Sequence, residues 1–311
     1  MMNTDIKVAV TSRSFSRNKI LRKELLKHYK NVTFNDEGEM FHGDKLVSFL
    51  KGHHKAITAL EEIDNNVLSK LPELKVISKY GVGLDMIDMQ AMQKNGVRLG
   101  WTGGINRRSV SELVISLAIS LLRHVPACHR EVLKGTWRQN IGSHLSGKTV
   151  GIIGCGHVGK DLVKLLQPFK CSILVNDIKN YKEFYKQYGI KAVDKDELLS
   201  ESDIVTLHTP LNNSTKNMLT SERLLLMKHN AILINLARGG LLDEDALKEM
   251  LINKRLGGAA LDVFLIEPPK DKELLELSNF IVTPHIGGSS NEAVINMGVA
   301  AIDGLVNNRL V

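Results

Sequence analysis

Cysteines are scarce in this chain, and their number and spacing exclude two kinds of site. There are three of them, Cys128, Cys155 and Cys171. An odd count without short paired spacings argues against a disulfide framework and against a cysteine zinc site. Three reduced thiols are the simplest interpretation. His53 and His54 also lack further ligands at metal spacing, so no metal site is predicted.

Aromatic residues are few as well, and the excess of positive charge is modest. Aromatics make up 5% of the chain, and 41 Lys and Arg against 34 Asp and Glu give a net charge of +7. Nucleic-acid binding is therefore not predicted. The densest basic stretch, residues 13–30, mixes cations with leucines at helical spacing. It is interpreted as a solvated helix face, and a field that attracts anionic substrates is the alternative.

Long apolar runs are also missing. No segment has the roughly 20 uninterrupted apolar residues of a membrane span, and no signal-peptide layout precedes the strand-like residues 6–12. We therefore expect a cytoplasmic protein without membrane association. The 311 residues and the hydrophobic content of 43% are enough for two domains with sizeable cores.

What the chain does contain is an alternation of strand-like and helical runs from one end to the other. This alternation is typical of α/β folds with parallel sheets, and the length accommodates two of them. The first set of strand-like runs covers residues 6–12, 56–60, 74–80 and 98–101. The second set covers residues 149–154, 172–176, 203–208, 231–237, 259–264 and 280–284.

A long helix is predicted between the two sets, with Asn106 as its N-cap. One apolar stripe runs along it, and Ile115 and Ile119 add apolar character on another face. Two covers are open for these faces: packing between the two domains, or burial in a homodimer interface.

A glycine-rich loop follows the first strand of the second set. Gly154, Gly156 and Gly159 match G-x-G-x-x-G between a strand and a helical pattern, as in dinucleotide-binding folds. The first glycine permits a tight turn, the second admits the pyrophosphate, and the third allows close helix–strand packing. The amides of His157 and Val158 are predicted to bind phosphate oxygens, whereas the side chains of Cys155 and His157 are expected to point away.

The next strand ends in an acid, Asp177, which lies 18 residues after Gly159. This is close to the spacing expected for a carboxylate that binds a ribose 2′-hydroxyl. Such a carboxylate repels a 2′-phosphate, and Ile178 stands where an arginine could have bound it. NAD is therefore predicted as the cofactor, in preference to NADP.

Three polar residues, Arg238, Glu267 and His285, each follow the end of a strand-like run. In an open parallel sheet such positions converge on one ligand. Oxidation of an alcohol requires a base for the hydroxyl proton, and histidine suits this near neutral pH. We assign that role to His285. Glu267 is predicted to hold its other ring nitrogen, and Arg238 to grip the carboxylate of a 2-hydroxy or 2-keto acid.

These motifs, together with the glycine loop, closely resemble those of the D-isomer-specific 2-hydroxyacid dehydrogenase family. Residues 235–244 resemble the family's arginine motif, residues 261–268 its glutamate motif and residues 282–288 its histidine motif. The resemblance implies the roles assigned above and adds Asp262 as a contact of the nicotinamide. Further cofactor contacts are predicted at Thr209, Pro210, Ala237, Arg238, His285 and Gly287. His208 is expected to pack beside the cofactor without ionising.

The resemblance also implies a division into two Rossmann-like domains. Residues 1–101 and 286–311 would form a flavodoxin-like substrate domain, and residues 102–285 an NAD-binding Rossmann domain, with catalysis in the cleft between them. Residues 79–85 resemble the substrate loop, in which the amides of Val82 and Gly83 hold the carboxylate. Met86 departs from the asparagine that is common after this loop's aspartate. A homodimer is implied too.

Within the family, residues 103–112 and the substrate loop most resemble the phosphoglycerate dehydrogenase branch. Lys79 stands where that branch often has an arginine near the substrate phosphate. Arg107, Arg108 and Arg138 are further cations, and for all four a plain surface position is the alternative. The expected substrate is therefore a small anionic acid, with D-3-phosphoglycerate the best guess. Alternatives are a glyoxylate or hydroxypyruvate reductase, and an NAD(H)-sensing protein like the family's transcriptional co-repressors.

Overall fold

The structure, a computed structural model, describes residues 3–311, and its contacts divide the chain into two compact units. Unit 1 comprises the chain up to Asn106 together with Ser290–Val311, and unit 2 comprises Arg107–Ser289. Each unit has a parallel sheet, so the predicted α/β class with two parallel sheets is confirmed. The predicted domain boundaries, after residues 101 and 285, lie a few residues before these divisions, and the domains' functions stay a prediction.

The sheet of unit 1 has five parallel strands in the order β2-β1-β3-β4-β5. Its strands are β1 Asn3–Val10, β2 Tyr29–Phe34, β3 Lys55–Thr58, β4 Val76–Lys79 and β5 Arg98–Gly100. Its helices are α1 Arg13–Arg17, α2 Lys19–His28, α3 Gly43–Leu50, α4 Asn65–Leu68, α5 Met89–Lys94 and, from the C-terminal segment, α14 Asn291–Gly304. Alternate strand residues such as Val8, Val10 and Ile57 are fully buried against the helices.

Strand β2 is absent from the runs predicted from sequence. It lies at the edge of the sheet, and its four central residues are exposed or half-buried. A strand at the edge of a sheet has a neighbouring strand on one side only, so its residues need not form a continuous apolar run. Pairing with β1, for example Val10 with Phe34, therefore specifies this strand, and no local pattern does.

The sheet of unit 2 has seven parallel strands in the order β12-β11-β10-β9-β6-β7-β8. They are β6 Thr149–Ile153, β7 Ser172–Asn176, β8 Lys191–Ala192, β9 Ile204–Leu207, β10 Ile232–Asn235, β11 Gly258–Leu261 and β12 Phe280–Val282. The helices are α6 Arg107–Leu122, α7 Val125–Leu133, α8 His157–Leu166, α9 Lys182–Tyr188, α10 Lys195–Glu201, α11 Ser221–Leu225, α12 Glu244–Ile252 and α13 Lys272–Glu276. The two-residue strand β8 was not predicted either. Because all strands are parallel, their carboxyl ends share one edge.

Helix α6 begins directly after Asn106, as predicted, and packs on the sheet of its own unit. Val110, Val114 and Leu121 are buried in one core with residues of β6, β10 and α8. The stripe is therefore covered within unit 2, and a contact of the partly buried Ile115 and Ile119 with the other domain or a second copy stays a prediction. In residues 3–311 no single helix could span a membrane, although α6 and α7 would pass the same length and composition test as a pair bent by 60°.

Candidate active site

The glycine loop leads from β6 into α8 with almost no room for side chains. Gly154 has φ +100°, and a Cβ there would lie 2.7 Å from the carbonyl oxygen of His208. A Cβ on Gly159 would lie 2.3 Å from the carbonyl oxygen of Gly154. Gly156, in contrast, faces open space. The outer glycines thus close the strand–helix turn, and the middle one leaves a cradle for a ligand.

The N-terminus of α8 has amide groups to offer to that cradle. Gly156 is its N-cap and provides no side-chain cap. In the part of the chain that the structure describes, the amides of His157 and Val158 donate to no other residue. Free first-turn amides and the helix dipole suit a pyrophosphate. These residues fit the phosphates of a dinucleotide.

Cys155 points into the core, as expected from the sequence, and the orientation of His157 relative to a cofactor stays a prediction. Cys155 is fully buried in the core of unit 2, and burial raises the pKa of its thiol to about 11. It is therefore a protonated core residue. The side chain of His157 is exposed at the start of α8.

Asp177 lies beside the glycine loop, just past the end of β7. Its Oδ2 accepts a hydrogen bond of 2.6 Å from the Cys155 amide, and its Oδ1 accepts one of 2.7 Å from the Lys179 amide. A carboxylate has about four acceptor positions, so lone pairs are left for a ribose hydroxyl. The side chain of Ile178 is 99% exposed. The residues after Asp177 are Ile178 and Lys179, so no arginine stands directly after the acid to bind a 2′-phosphate.

His208 and Thr209, at the end of β9, lie next to the glycine loop. A Cβ added to Gly154 would meet the carbonyl of His208 and the methyl group of Thr209. Burial lowers the pKa of His208 to about 3, and its Nε2 lies 3.0 Å from the Thr206 hydroxyl. The ring is thus neutral at physiological pH, as expected. Pro210 follows in an exposed position.

The turn that carries Arg238 is organised by a buried amide side chain. Asn235, 1% exposed at the end of β10, donates through Nδ2 to the carbonyl of Arg238 at 2.8 Å and accepts from the amide of Ala237 at 3.0 Å. Arg238 itself is half-buried and donates to the carbonyl of Ala237. The sequence interpretation gave Asn235 no role. Its position in the arginine motif was the only available signal.

Glu267 and His285 form a hydrogen-bonded pair. His285 Nδ1 lies 3.0 Å from Glu267 Oε2, and Glu267 Oε1 accepts a bond of 3.2 Å from the amide of Phe264. The side chains of both are about half exposed, at 48% for His285 and 41% for Glu267. The carboxylate therefore fixes one ring nitrogen, and Nε2 is the nitrogen left for a substrate.

Asp262 holds the loop that carries His285. It is 1% exposed, and its carboxylate accepts bonds from the Thr283 hydroxyl at 2.6 Å and from the amides of Ile286 and Gly287 at 2.8 and 2.7 Å. The amide of His285, at φ +54°, donates to the Asp262 carbonyl. The structure thus shows Asp262 as a positioning residue. Its contact with the nicotinamide stays a prediction.

The predicted substrate loop lies in unit 1, after β4. The carbonyl of Val82 accepts a bond of 2.9 Å from Trp101 Nε1, whereas in residues 3–311 the amides of Val82 and Gly83 donate to no other residue. Lys79 is only 6% exposed, and its ammonium donates to the carbonyl of Ala59. Its alternative, a plain surface position, is therefore wrong.

Two of the other candidate cations are paired within unit 2. Arg108 lies 3.0 Å from Asp161, and Arg138 lies 2.9 Å from Glu131. Arg107 is exposed at the start of α6. No group of three or more His, Cys, Asp or Glu residues within the described range 3–311 could hold a metal ion.

Comparisons with known proteins agree with this geometry. Residues 115–287 match the family model described as D-isomer specific 2-hydroxyacid dehydrogenase, NAD binding domain. The chain is 40% identical to a D-3-phosphoglycerate dehydrogenase of Methanocaldococcus jannaschii over 75% of this chain and 45% of the relative. It is 34% identical to a hydroxypyruvate reductase of Thermotoga maritima over 79% of this chain and 81% of the relative.

A solved D-lactate dehydrogenase of Aquifex aeolicus, complexed with NAD and lactic acid, has 26% identity and a TM-score of 0.81. It covers 95% of this chain and 93% of its own. Against three of its curated relatives, all phosphoglycerate dehydrogenases, the chain spans only 45–47% of their length. With the glycine loop, Arg238 and the Glu267–His285 pair, these matches show that the chain belongs to the D-isomer specific 2-hydroxyacid dehydrogenase family.

Proposed function

We propose that this protein is an NAD-dependent oxidoreductase that interconverts a D-2-hydroxy acid and its 2-keto acid. The observation that carries the proposal is the Glu267–His285 pair at 3.0 Å, on the sheet edge that also bears Arg238 and the glycine loop. Unit 2 would bind the cofactor, and unit 1 the substrate through the amides of Val82 and Gly83.

The side chains have distinct roles in this mechanism. Bound NAD would supply hydride exchange at the C2 carbon of the substrate. In the oxidation direction, Nε2 of His285 takes the C2 hydroxyl proton, and Glu267 stabilises the imidazolium that forms. In the reduction direction the same nitrogen returns the proton. Arg238 holds the substrate carboxylate through two parallel bonds and polarises the C2 carbonyl.

D-3-phosphoglycerate is the first substrate to test, since the substrate loop and three of the curated relatives point to that branch. Glyoxylate and hydroxypyruvate are the alternatives, because other relatives are named as reductases of these acids. A panel of 2-keto acids is reduced with NADH and followed at the nicotinamide absorbance. It includes the keto acid that corresponds to D-3-phosphoglycerate, and the relative rates decide between these substrates. Tight NADH binding without turnover of any acid would instead support the NAD(H)-sensing alternative.

The preference for NAD is expected to depend on the charge of Asp177. Asp177→Asn keeps an acceptor near the Cys155 amide but removes the charge that repels a 2′-phosphate. We expect the ratio of kcat/KM for NAD over NADP to fall about ten- to a hundredfold. Asp196→Asn, at an exposed ion pair with Arg223 in the same unit, is the matched control. An unchanged ratio in Asp177→Asn would place the discriminating group elsewhere.

We also propose that the protein forms a homodimer through the surface of α7 and the segment after it. Helix α7 has no buried residue, and Leu133, Trp137 and Ile141 are 74%, 88% and 95% exposed. Large exposed apolar side chains that follow one another closely along the chain, as these three do, suit an association site. A second copy is the occupant that the family resemblance implies.

Trp137→Arg is expected to weaken this dimer about ten- to a hundredfold, as burial of a large apolar side chain is worth about 1.5–3 kcal/mol. Size-exclusion chromatography with light scattering over a dilution series measures the dissociation. Val306→Arg, at a residue that is 68% exposed in unit 1, is the control. If both variants and the parent protein dissociate alike, the interface lies on another surface.

A further inference from the structure

The segment from Phe264 to Glu267 leads from the end of β11 to the hydrogen-bond partner of His285, and two carboxylates hold its backbone amides. Oε1 of Glu267 accepts a bond of 3.2 Å from the Phe264 amide, within the segment itself. Oε1 of Glu244, in the first turn of α12, accepts a bond of 2.8 Å from the Leu265 amide. Glu244 therefore holds this segment from outside. We call residues 264–267 the glutamate segment.

The glutamate segment lies directly on the turn that carries Arg238. A Cβ on Gly239 would overlap the carbonyl of Phe264 and would come within 2.5 Å of the Leu265 nitrogen. No side chain fits in such a space, so the two backbones are in contact. The chain continues from this turn into α12, whose first turn carries Glu244. Glu244 therefore links the arginine turn to the glutamate segment.

The carboxylate of Glu244 also interacts with the charge of Glu267. Burial raises the pKa of Glu244, the hydrogen bond from the Leu265 amide opposes this rise, and the carboxylates of Asp245 and Glu267 add to it. The interaction between two charged groups is mutual, so Glu244 affects Glu267 as Glu267 affects Glu244. An ionised Glu244 therefore adds negative potential at the Glu267–His285 pair.

The cations near Glu244 are paired with other acids. The remaining charged groups on α12, on α11, which packs against it, and at the start of α13 are the cations Lys248, Arg223 and Lys272 and the acids Asp243, Asp245, Glu249, Glu222, Asp271 and Glu273. Lys248 lies 2.9 Å from Asp271 and 3.3 Å from Glu273. Arg223 lies 3.2 Å from Asp196. These pairs leave the negative charge of Glu244 to act on the glutamate segment.

We propose that Glu244 is a positioning residue of the Glu267–His285 pair, which holds the glutamate segment by its hydrogen bond and stabilises the His285 imidazolium by its charge. The inference rests on the proposed function and adds a residue to the same site. Reduction of a keto acid needs the imidazolium as proton donor, whereas oxidation needs the neutral ring. The charge of Glu244 therefore favours reduction near neutral pH.

Glu244→Gln tests the charge, because its amide oxygen can still accept from Leu265. The parent protein's kcat/KM for the keto acid that it reduces fastest is expected to fall at high pH, where the imidazolium loses its proton. In the variant this fall should begin about 0.3–1 pH unit lower, since one nearby negative charge is gone. Glu249→Gln, the same exchange at an exposed position of α12, should leave the profile unchanged.

Glu244→Ala removes the hydrogen bond as well as the charge. In addition to the same pH shift, we expect kcat to fall about tenfold, because the glutamate segment loses an outside contact and Glu267 is held less well. The glutamine variant should recover kcat but keep the pH shift. Thermal denaturation of both variants measures stability separately. A lower Tm with an unchanged pH profile would mean a purely structural role and would overturn the proposal.

A measurement that needs no turnover separates this inference from the proposed function. Proton NMR follows the imidazole signals of the full chain over a pH series, and His285→Ala identifies the signal of His285. This signal should titrate at lower pH in Glu244→Gln than in the parent protein. If no acid is reduced, the proposed function fails while such a shift still supports the role of Glu244. An identical titration of His285 in both proteins overturns that role, whatever the activity.

Discussion

Replacing His285 with alanine is expected to lower kcat by about a thousandfold in both reaction directions, because the C2 hydroxyl proton loses its acceptor and donor. The affinity for NADH should be nearly unchanged, since His285 is only one of the predicted cofactor contacts and the glycine loop and Asp177 lie on other strands of the same sheet. Stopped-flow or steady-state rates measure the first effect, and titration of NADH fluorescence measures the second.

Two further variants test this interpretation: Glu267→Gln changes the partner of His285, and His229→Ala is a control. The glutamine can still hydrogen-bond Nδ1 but carries no charge to stabilise the imidazolium, so an intermediate loss of kcat is expected. His229 is an exposed histidine of the same unit, and its replacement should leave the rate unchanged. A His285→Ala protein with parental kcat on its substrate would remove His285 from the mechanism.

Replacing Arg238 with lysine is expected to lower kcat/KM for the keto acid about a hundredfold. A lysine keeps the positive charge but cannot form two parallel bonds with a carboxylate. The turn itself should persist, because the side chain of Asn235 bonds the backbone of Ala237 and Arg238, which this substitution leaves in place. KM is therefore expected to rise and kcat to fall, since Arg238 also orients the C2 carbonyl.

Arg223→Lys is the matched control for this substitution. Arg223 forms a surface pair with Asp196 in the same unit, so the same exchange there should leave kcat/KM unchanged. If Arg238→Lys behaves like this control, the substrate carboxylate is bound by other groups, and the amides of Val82 and Gly83 are the next to examine.

The parts of the site that the sequence predicts are those whose chemistry lies in one short segment. The glycine loop is recognisable because turn, phosphate contact and helix packing all fall between Gly154 and Gly159. Arg238, Glu267 and His285 are recognisable because each directly follows a strand-like run, and parallel strands bring their carboxyl ends to one edge. The pairing of Glu267 with His285 follows from the same geometry.

Other features depend on contacts between distant segments and have no local pattern. Asp262 bonds residues more than 20 positions later, and only the fold shows that both of its oxygens are engaged. In the sequence, Lys79 looks like one more surface cation. The pairing of β3 with β4 brings its ammonium to the carbonyl of Ala59. Arg17 falls in a stretch interpreted as a solvated helix face, yet it lines a cavity of about 680 Å³ in unit 1 together with Tyr80, which follows β4.

The fold places Arg238, Glu267 and His285 in unit 2 and the predicted substrate loop, with Val82 and Gly83, in unit 1. Arg238 and His285 lie on turns held by the side chains of Asn235 and Asp262, whereas the carbonyl of Val82 is held by the indole of Trp101. Residues of the substrate loop can therefore be exchanged without removing the hydrogen bonds that hold the Glu267–His285 pair. Variation of that kind would let one inherited reaction serve acids with different tails.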